Sequence, residues 1–225
     1  MKDQEYTIED ALLLNVLSVF KRKIGIINPL VDVFKKELNT KDKVEHFLSA
    51  FRKYTFLLEA LDKINELIKE KNLSKAVEVE YNFYAGVFFA VSSLDSLACL
   101  INDFYSIADE DKCSLNSGEF TKKLPDFVAK ITTPFNQQLK ELFKYRNMLA
   151  HRRAFIVVPV GPKPDKIQGF KVPAKSTTKL TELKSFKEEL AEVIDLLSEF
   201  EQLVGEILVR TIVNWPSQKL NKLVD

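Results

Sequence analysis

Apolar side chains recur three or four positions apart through most of the chain, the spacing that lines one face of an α-helix. A first helix is expected from Thr7, whose hydroxyl can cap it with Asp10 three residues on. It runs through Leu12, Val16 and Phe20, breaks or kinks at Asn28-Pro29 and resumes to about Leu38. A second helix over roughly 42–71 places Val44, Phe47, Leu48, Phe51, Leu58, Leu61, Leu67 and Ile68 on its core face. A third starts at a Ser74 cap and reaches about Ala108. Its middle, Tyr81 to Ile101, is apolar on nearly every side, as the central helix of a bundle must be.

A short helix is expected near 118–130, and Thr133-Pro134 supplies the cap and first turn of the next one. That helix carries Phe135, Leu139, Leu142 and Phe143. After Arg153 the period shortens: the apolar run from Phe155, a turn rich in Gly and Pro at 161–166, and the run from Ile167 predict a small β-hairpin over 155–172. Pro159 confines its strand to an edge. The last helix follows Thr178 or Thr181 and should stop near Asn214, ahead of Trp215-Pro216. The fold class is therefore all-α, an up-and-down helical bundle with a small hairpin insertion. Residues 1–72 read as an added helical segment packed on a core domain of residues 73–225.

Composition agrees with a helical globule: 225 residues, 46% hydrophobic, six Gly, eight Pro and seventeen Phe. The net charge of +1 gives the whole molecule no strong pull on nucleic acid or anionic membrane. The charge is unevenly spread, however. Between Lys140 and Lys179 ten basic residues face only Glu141 and Asp165, a local +8 that leaves −7 on the remainder. A basic stripe of this kind suits a phosphate-rich ligand; it equally suits a solvated loop balanced by the acidic final helix. Cys99 and Cys113 lack any framework spacing and read as reduced thiols of a cytoplasmic protein. No signal-peptide pattern opens the chain, and the apolar run at Ala11–Phe20 is too short to span a bilayer, so no membrane association is expected.

The candidate chemistry lies in Arg146-Asn147-Met148-Leu149-Ala150-His151. On a helix, Asn147 and His151 stand four apart and share a face, so the amide can orient the imidazole. Arg146 and His151 are five apart, about 140° around the axis, so a site using both needs a groove or a second copy of the chain. Arginine offers a forked donor to phosphate oxygens and histidine a proton acceptor or donor near neutrality. The pair suits attack of a ribose 2′-hydroxyl on the adjacent phosphate, with no metal and no cofactor: His151 takes the proton and Arg146 stabilises the transition-state charge. Lys144, Arg152 and Arg153 would hold RNA. Asp95, the only charged residue between Tyr81 and Ile101, needs a partner if buried, and Arg146 is the one expected. A structural alternative stands beside this one, in which Arg146 neutralises a buried acid and His151, Arg152 and Arg153 favour a helix C-terminus. His46, on an amphipathic helix, reads as a surface or boundary residue. The sequence holds no phosphate-binding Gly-rich loop, no Gly-x-Ser-x-Gly elbow and no zinc-ligand spacing.

The Arg-Asn-x-x-x-His core on a helix of an all-α bundle resembles the HEPN superfamily, and Ser93-Leu94-Asp95-Ser96-Leu97-Ala98 is similar to that family's earlier, acid-bearing helix. The resemblance spans about residues 75–213. It implies a metal-independent endoribonuclease that dimerises so that two motifs face one groove, serving toxin–antitoxin, phage-defence or RNA-processing systems, with an antitoxin or other protein as a possible partner. By the same resemblance Arg146 and His151 are catalytic, and Asn147 and Asp95 support them. Many toxin members carry Tyr two residues after the His, where a partner nucleotidyltransferase modifies it. This chain has Arg153 there, so control by that route is not implied. The superfamily also has inactive members, which leaves a non-catalytic nucleotide-, RNA- or protein-binding module as the alternative.

Overall fold

The computed structural model describes residues 41–69, 76–151, 158–159, 166–168 and 184–222. The helix expected over 7–38, the Ser74 cap, Arg152 and Arg153 lie outside these residues. So does most of the segment expected as a hairpin, where only short strand fragments are described. Val158–Pro159 (β1) pairs antiparallel with Lys166–Gln168 (β2), which also pairs with Lys184–Ser185 (β3).

Helices dominate what is described. They are α1 (Lys41–Lys69), α2 (Ala76–Tyr105), α3 (Gly118–Thr121), α4 (Asp126–Thr132), α5 (Asn136–His151) and α6 (Phe186–Lys222). The buried face of α1 follows Phe47, Ala50, Phe51, Tyr54, Leu57, Ala60, Ile64 and Leu67. Steps of three and four carry this stripe along one side of a 3.6-residue helix. Leu48, Leu58 and Leu61, expected in it, flank it and are only partly buried.

Helix α2 ends earlier than its hydrophobic pattern suggests, and its capping explains why. Ser106 adopts φ 50°, and its N–H donates to the Asn102 carbonyl at 2.7 Å, a left-handed stop. The Asn102 side chain then accepts from the N–H groups of Ile107 and Ala108 at 2.8 and 2.9 Å and donates to the Ala108 carbonyl. These bonds occupy backbone groups that another helical turn would have used.

Helix α6 departs in the other direction. It runs through Pro216 to Lys222 instead of stopping near Asn214. Proline gives up one helical hydrogen bond, but the preceding Trp215 is 1% exposed among aromatic rings. Holding that large side chain inside outweighs the local preference to stop. Between α2 and α5, Ser117 caps α3 by accepting from the Phe120 N–H, Pro125 precedes α4, and a 3-10 turn at Thr133–Phe135 opens into α5.

The chain divides into two compact units that interleave in sequence, one holding residues 1–55, 92–137 and 204–225, the other Phe56–Val91 and Gln138–Leu203. Both draw on α1. In the first, α1 and α2 run antiparallel. The Ser93 hydroxyl donates to the Ala50 carbonyl at 2.7 Å, and Lys43 Nζ lies 4.3 Å from the centre of the Phe104 ring. The Trp215 ring packs on Phe104, Tyr105 and Phe127 with centroids 4.7 to 5.8 Å apart. In the second unit Phe56 packs on Phe89 and Tyr145 on Phe200. Gly86 there lets α2 approach Leu197 so closely that a Cβ would stand 2.8 Å from its methyl carbon.

Expected apolar on nearly every side, α2 is buried so only over its second half. Val77 and Tyr81 in its first half are 73% and 71% exposed, and Phe88 is exposed as well. Val77–Tyr105 is long and apolar enough to cross a membrane by length and composition, and 61% of its 18-residue apolar window is buried inside the protein. A core helix passes the same test.

Candidate functional site

Leu139, Leu142 and Phe143 form the buried stripe of α5, and helical stepping brings Arg146 to the next position on it. Arg146 is accordingly half-buried. Its Nε is shut from solvent and donates to no partner among the described residues. A buried guanidinium nitrogen without an acceptor is costly, and such a group is the natural place to seek a ligand or a missing partner. Lys140, Lys144 and Asn147 step along the exposed face. His151, the last residue of α5, follows Asn147 by four and continues that register, while its side chain lies outside the described residues. The helix thus carries Asn147 and His151 on one face and Arg146 on another, as their spacing requires.

Beside the motif, the Tyr145 hydroxyl is pushed above its ordinary range, first by burial and then by the carboxylates of Glu141, Glu199 and Glu192. Two of those three acids come from α6. The acidic final helix therefore comes near α5 at Tyr145, whose ring packs on Phe200.

Asp95 belongs to the first unit and Arg146 to the second. Asp95 accepts a hydrogen bond from the Ser114 hydroxyl at 3.0 Å. It sits on a polar stripe of α2 made by Ser92, Asp95, Ser96, Cys99 and Asp103, at helical steps of three and four. Around this stripe the structure assembles polar contacts that no sequence motif marks. His46 Nδ1 meets Asp103 Oδ2 at 2.6 Å. Lys53 Nζ donates to the Ser96 hydroxyl at 2.8 Å, and that hydroxyl donates to Ser49 at 3.3 Å. His46, expected at a boundary, is half-buried and paired. Ser96 is itself buried, so its contact with Lys53 holds the two helices together and offers no nucleophile to a substrate.

The Cys113 thiol donates to the Asp109 carbonyl at 3.5 Å, and both cysteines are free. Burial, then the Asp103 and Asp95 carboxylates, push the Cys99 thiol above its ordinary range, against smaller opposing effects of Cys113 and Lys53. Among the described residues no three His, Cys, Asp or Glu side chains gather as metal ligands. Compared with known proteins, the chain matches no family model, no curated protein and no solved structure.

Proposed function

We propose that this protein is a metal-independent endoribonuclease of HEPN type, cleaving RNA by attack of a ribose 2′-hydroxyl on the adjacent phosphate. The observation that carries the reading is the Arg146 Nε, buried and without a partner among the described residues, five positions before His151 on one helix. An unpaired guanidinium donor is what a phosphate oxygen accepts from. Because α5 turns Arg146 and His151 to different faces, one copy's pair does not converge along the helix. The reading therefore includes a homodimer in which a second α5 completes the groove. In it His151 is the general base, Asn147 orients the imidazole, and Lys144, Arg152 and Arg153 track the phosphate backbone. The cytoplasm, and a toxin–antitoxin, phage-defence or RNA-processing system, are the settings proposed.

One observation favours a second reading, a non-catalytic module that binds nucleotide, RNA or a protein: Arg146 occupies a core-stripe position, where an aliphatic stem can serve packing alone. The two readings separate in one assay. Wild type and His151→Ala are incubated with mixed RNA in chelator, and 2′,3′-cyclic phosphate ends are counted. Nuclease activity predicts that wild type forms them and that His151→Ala loses roughly 10²–10⁴-fold. Retained RNA binding with no cleavage by either protein would leave the module.

A further inference from the structure

We propose that the first three turns of α2 are a docking site for an amphipathic helix of a partner protein, one that carries lysine or arginine on both flanks of its apolar stripe. The inference is independent of the nuclease reading and rests on which large side chains the second unit leaves in water. Among the described residues the exposed large hydrophobic side chains are Val77, Tyr81 and Phe88, and all three belong to α2. With the part-buried Tyr84 they step by four, three and four, one line along a helix and the d-a-d-a seam of a heptad. At 1.5 Å per residue the seam is about 16 Å long. Val79, Phe83 and Ala90, on the back of the same turns, are buried, so the ridge is anchored from behind. Single exposed apolar side chains are ordinary; a line of them over three turns marks an interaction surface.

Charge selects the occupant. In the same heptad Glu78 stands at e and Glu80 at g, so a carboxylate borders the seam on each side. The whole of α2 carries Glu78, Glu80, Asp95 and Asp103 and no Lys, Arg or His. A second copy would set its own Glu78 and Glu80 against these, and a nucleic acid or an anionic lipid surface would meet the same repulsion. An extended peptide finds no edge to join, because the backbone groups of α2 are spent within the helix. A helix with aliphatic side chains at its own a and d positions and cations at e and g satisfies both demands. Its apolar knobs enter between Val77, Tyr81, Tyr84 and Phe88 while its cations face Glu78 and Glu80. Tyr81 is the expected anchor, being a large aromatic side chain at the middle of the acidic heptad.

The test uses the full chain and two fluorescein-labelled synthetic peptides, each three heptads long with leucine at a and d. One has lysine at e and g, the other glutamate. By fluorescence anisotropy at low ionic strength the lysine peptide should bind with micromolar affinity and the glutamate peptide should not bind. Val77→Gln combined with Tyr81→Gln should weaken the lysine peptide by at least about 10-fold. Glu78→Gln combined with Glu80→Gln should weaken it roughly 3–10-fold, a loss that added salt reproduces in wild type. Glutamine is a good helix former, so both variants should keep the circular dichroism of wild type. Equal binding of the two peptides would overturn the proposal, as would binding that survives the loss of Val77 and Tyr81. So would a wild type that binds neither peptide, as it must if another part of the chain already covers the seam. A wild-type dimer that Val77→Gln with Tyr81→Gln dissolves in sedimentation would overturn it too, by giving the seam to a second copy.

Discussion

From Ser92 onward α2 is fixed by partnered polar groups: Ser93 on the Ala50 carbonyl, Ser96 under Lys53, Asp95 under Ser114 and Asp103 against His46. Before Ser92 the same helix is held by apolar contact, with Gly86 against Leu197 and Phe89 against Phe56, and it leaves Val77 and Tyr81 in solvent. The contrast extends to the two units. In the first, Asp95, Asp103, His46 and Lys53 are hydrogen-bonded or ion-paired, whereas in the second the Arg146 Nε has no acceptor among the described residues. Directional bonds specify one arrangement of a helix pair and add little net stability, whereas apolar packing supplies the stability and tolerates a stray polar atom only at a cost. The unit with the most conspicuous sequence motif is thus the one whose motif cation is least satisfied from within.

The largest effect should come from Trp215, the one tryptophan. Trp215→Ala removes a fully buried ring that touches Phe104, Tyr105 and Phe127, and urea denaturation should show a loss of about 3–5 kcal/mol. Its Nε1 is buried with no partner among the described residues, as is the Thr211 hydroxyl one turn earlier. Trp215→Phe deletes that unsatisfied N–H while keeping an aromatic ring, so it should recover more than half of the loss. A Trp215→Ala cost below about 1 kcal/mol would mean that this aromatic cluster does not hold the first unit.

Gly86 tests the apolar side of the contrast. Adding a methyl group gains about 1 kcal/mol of helix propensity, but it must fit 2.8 and 2.9 Å from the two methyl carbons of Leu197. Leu197 is fully buried and cannot swing into solvent, so overpacking of about 1–3 kcal/mol outweighs the propensity and Gly86→Ala destabilises. Leu197→Ala makes room, so the double variant should lose less than the sum of the single losses. Simple additivity would show that the close approach is not what requires glycine.

Much of this was legible in the chain, unevenly and for physical reasons. Thr133-Pro134 marks the entry to α5 because proline fits a first helical turn without losing a hydrogen bond, and the structure opens α5 there through a 3-10 turn. The two helix ends that departed from expectation depend on distant partners or on a local geometry without a pattern. Trp215 carries α6 past Pro216 because aromatic rings from other elements bury it. Asn102 and Ser106 stop α2 through a cap whose residues are common in helices of every kind. The site divides likewise. Arg146, Asn147 and His151 stand out by type and spacing, and helical geometry alone separates their faces. Nothing in the residues after Tyr105 signals that the chain doubles back, so the Ser114 bond to Asp95 and the Asp103 pairing of His46 emerge only from the fold.

The smallest expected change in stability is the most informative about the site. Arg146→Met keeps an unbranched side chain of equal helix propensity on a stripe formed by Leu139, Leu142 and Phe143, and it removes a buried donor that has no acceptor among the described residues. Replacing an uncompensated buried polar group by an apolar one of similar shape is neutral to mildly stabilising, so urea denaturation should place the variant within about 0.5 kcal/mol of wild type, or above it. If the guanidinium is there for a phosphate, the same variant should lose RNA cleavage while keeping its fold, the usual exchange of stability for activity at a site. A loss above about 2 kcal/mol would assign Arg146 to the architecture of the second unit and remove the observation on which the nuclease reading rests.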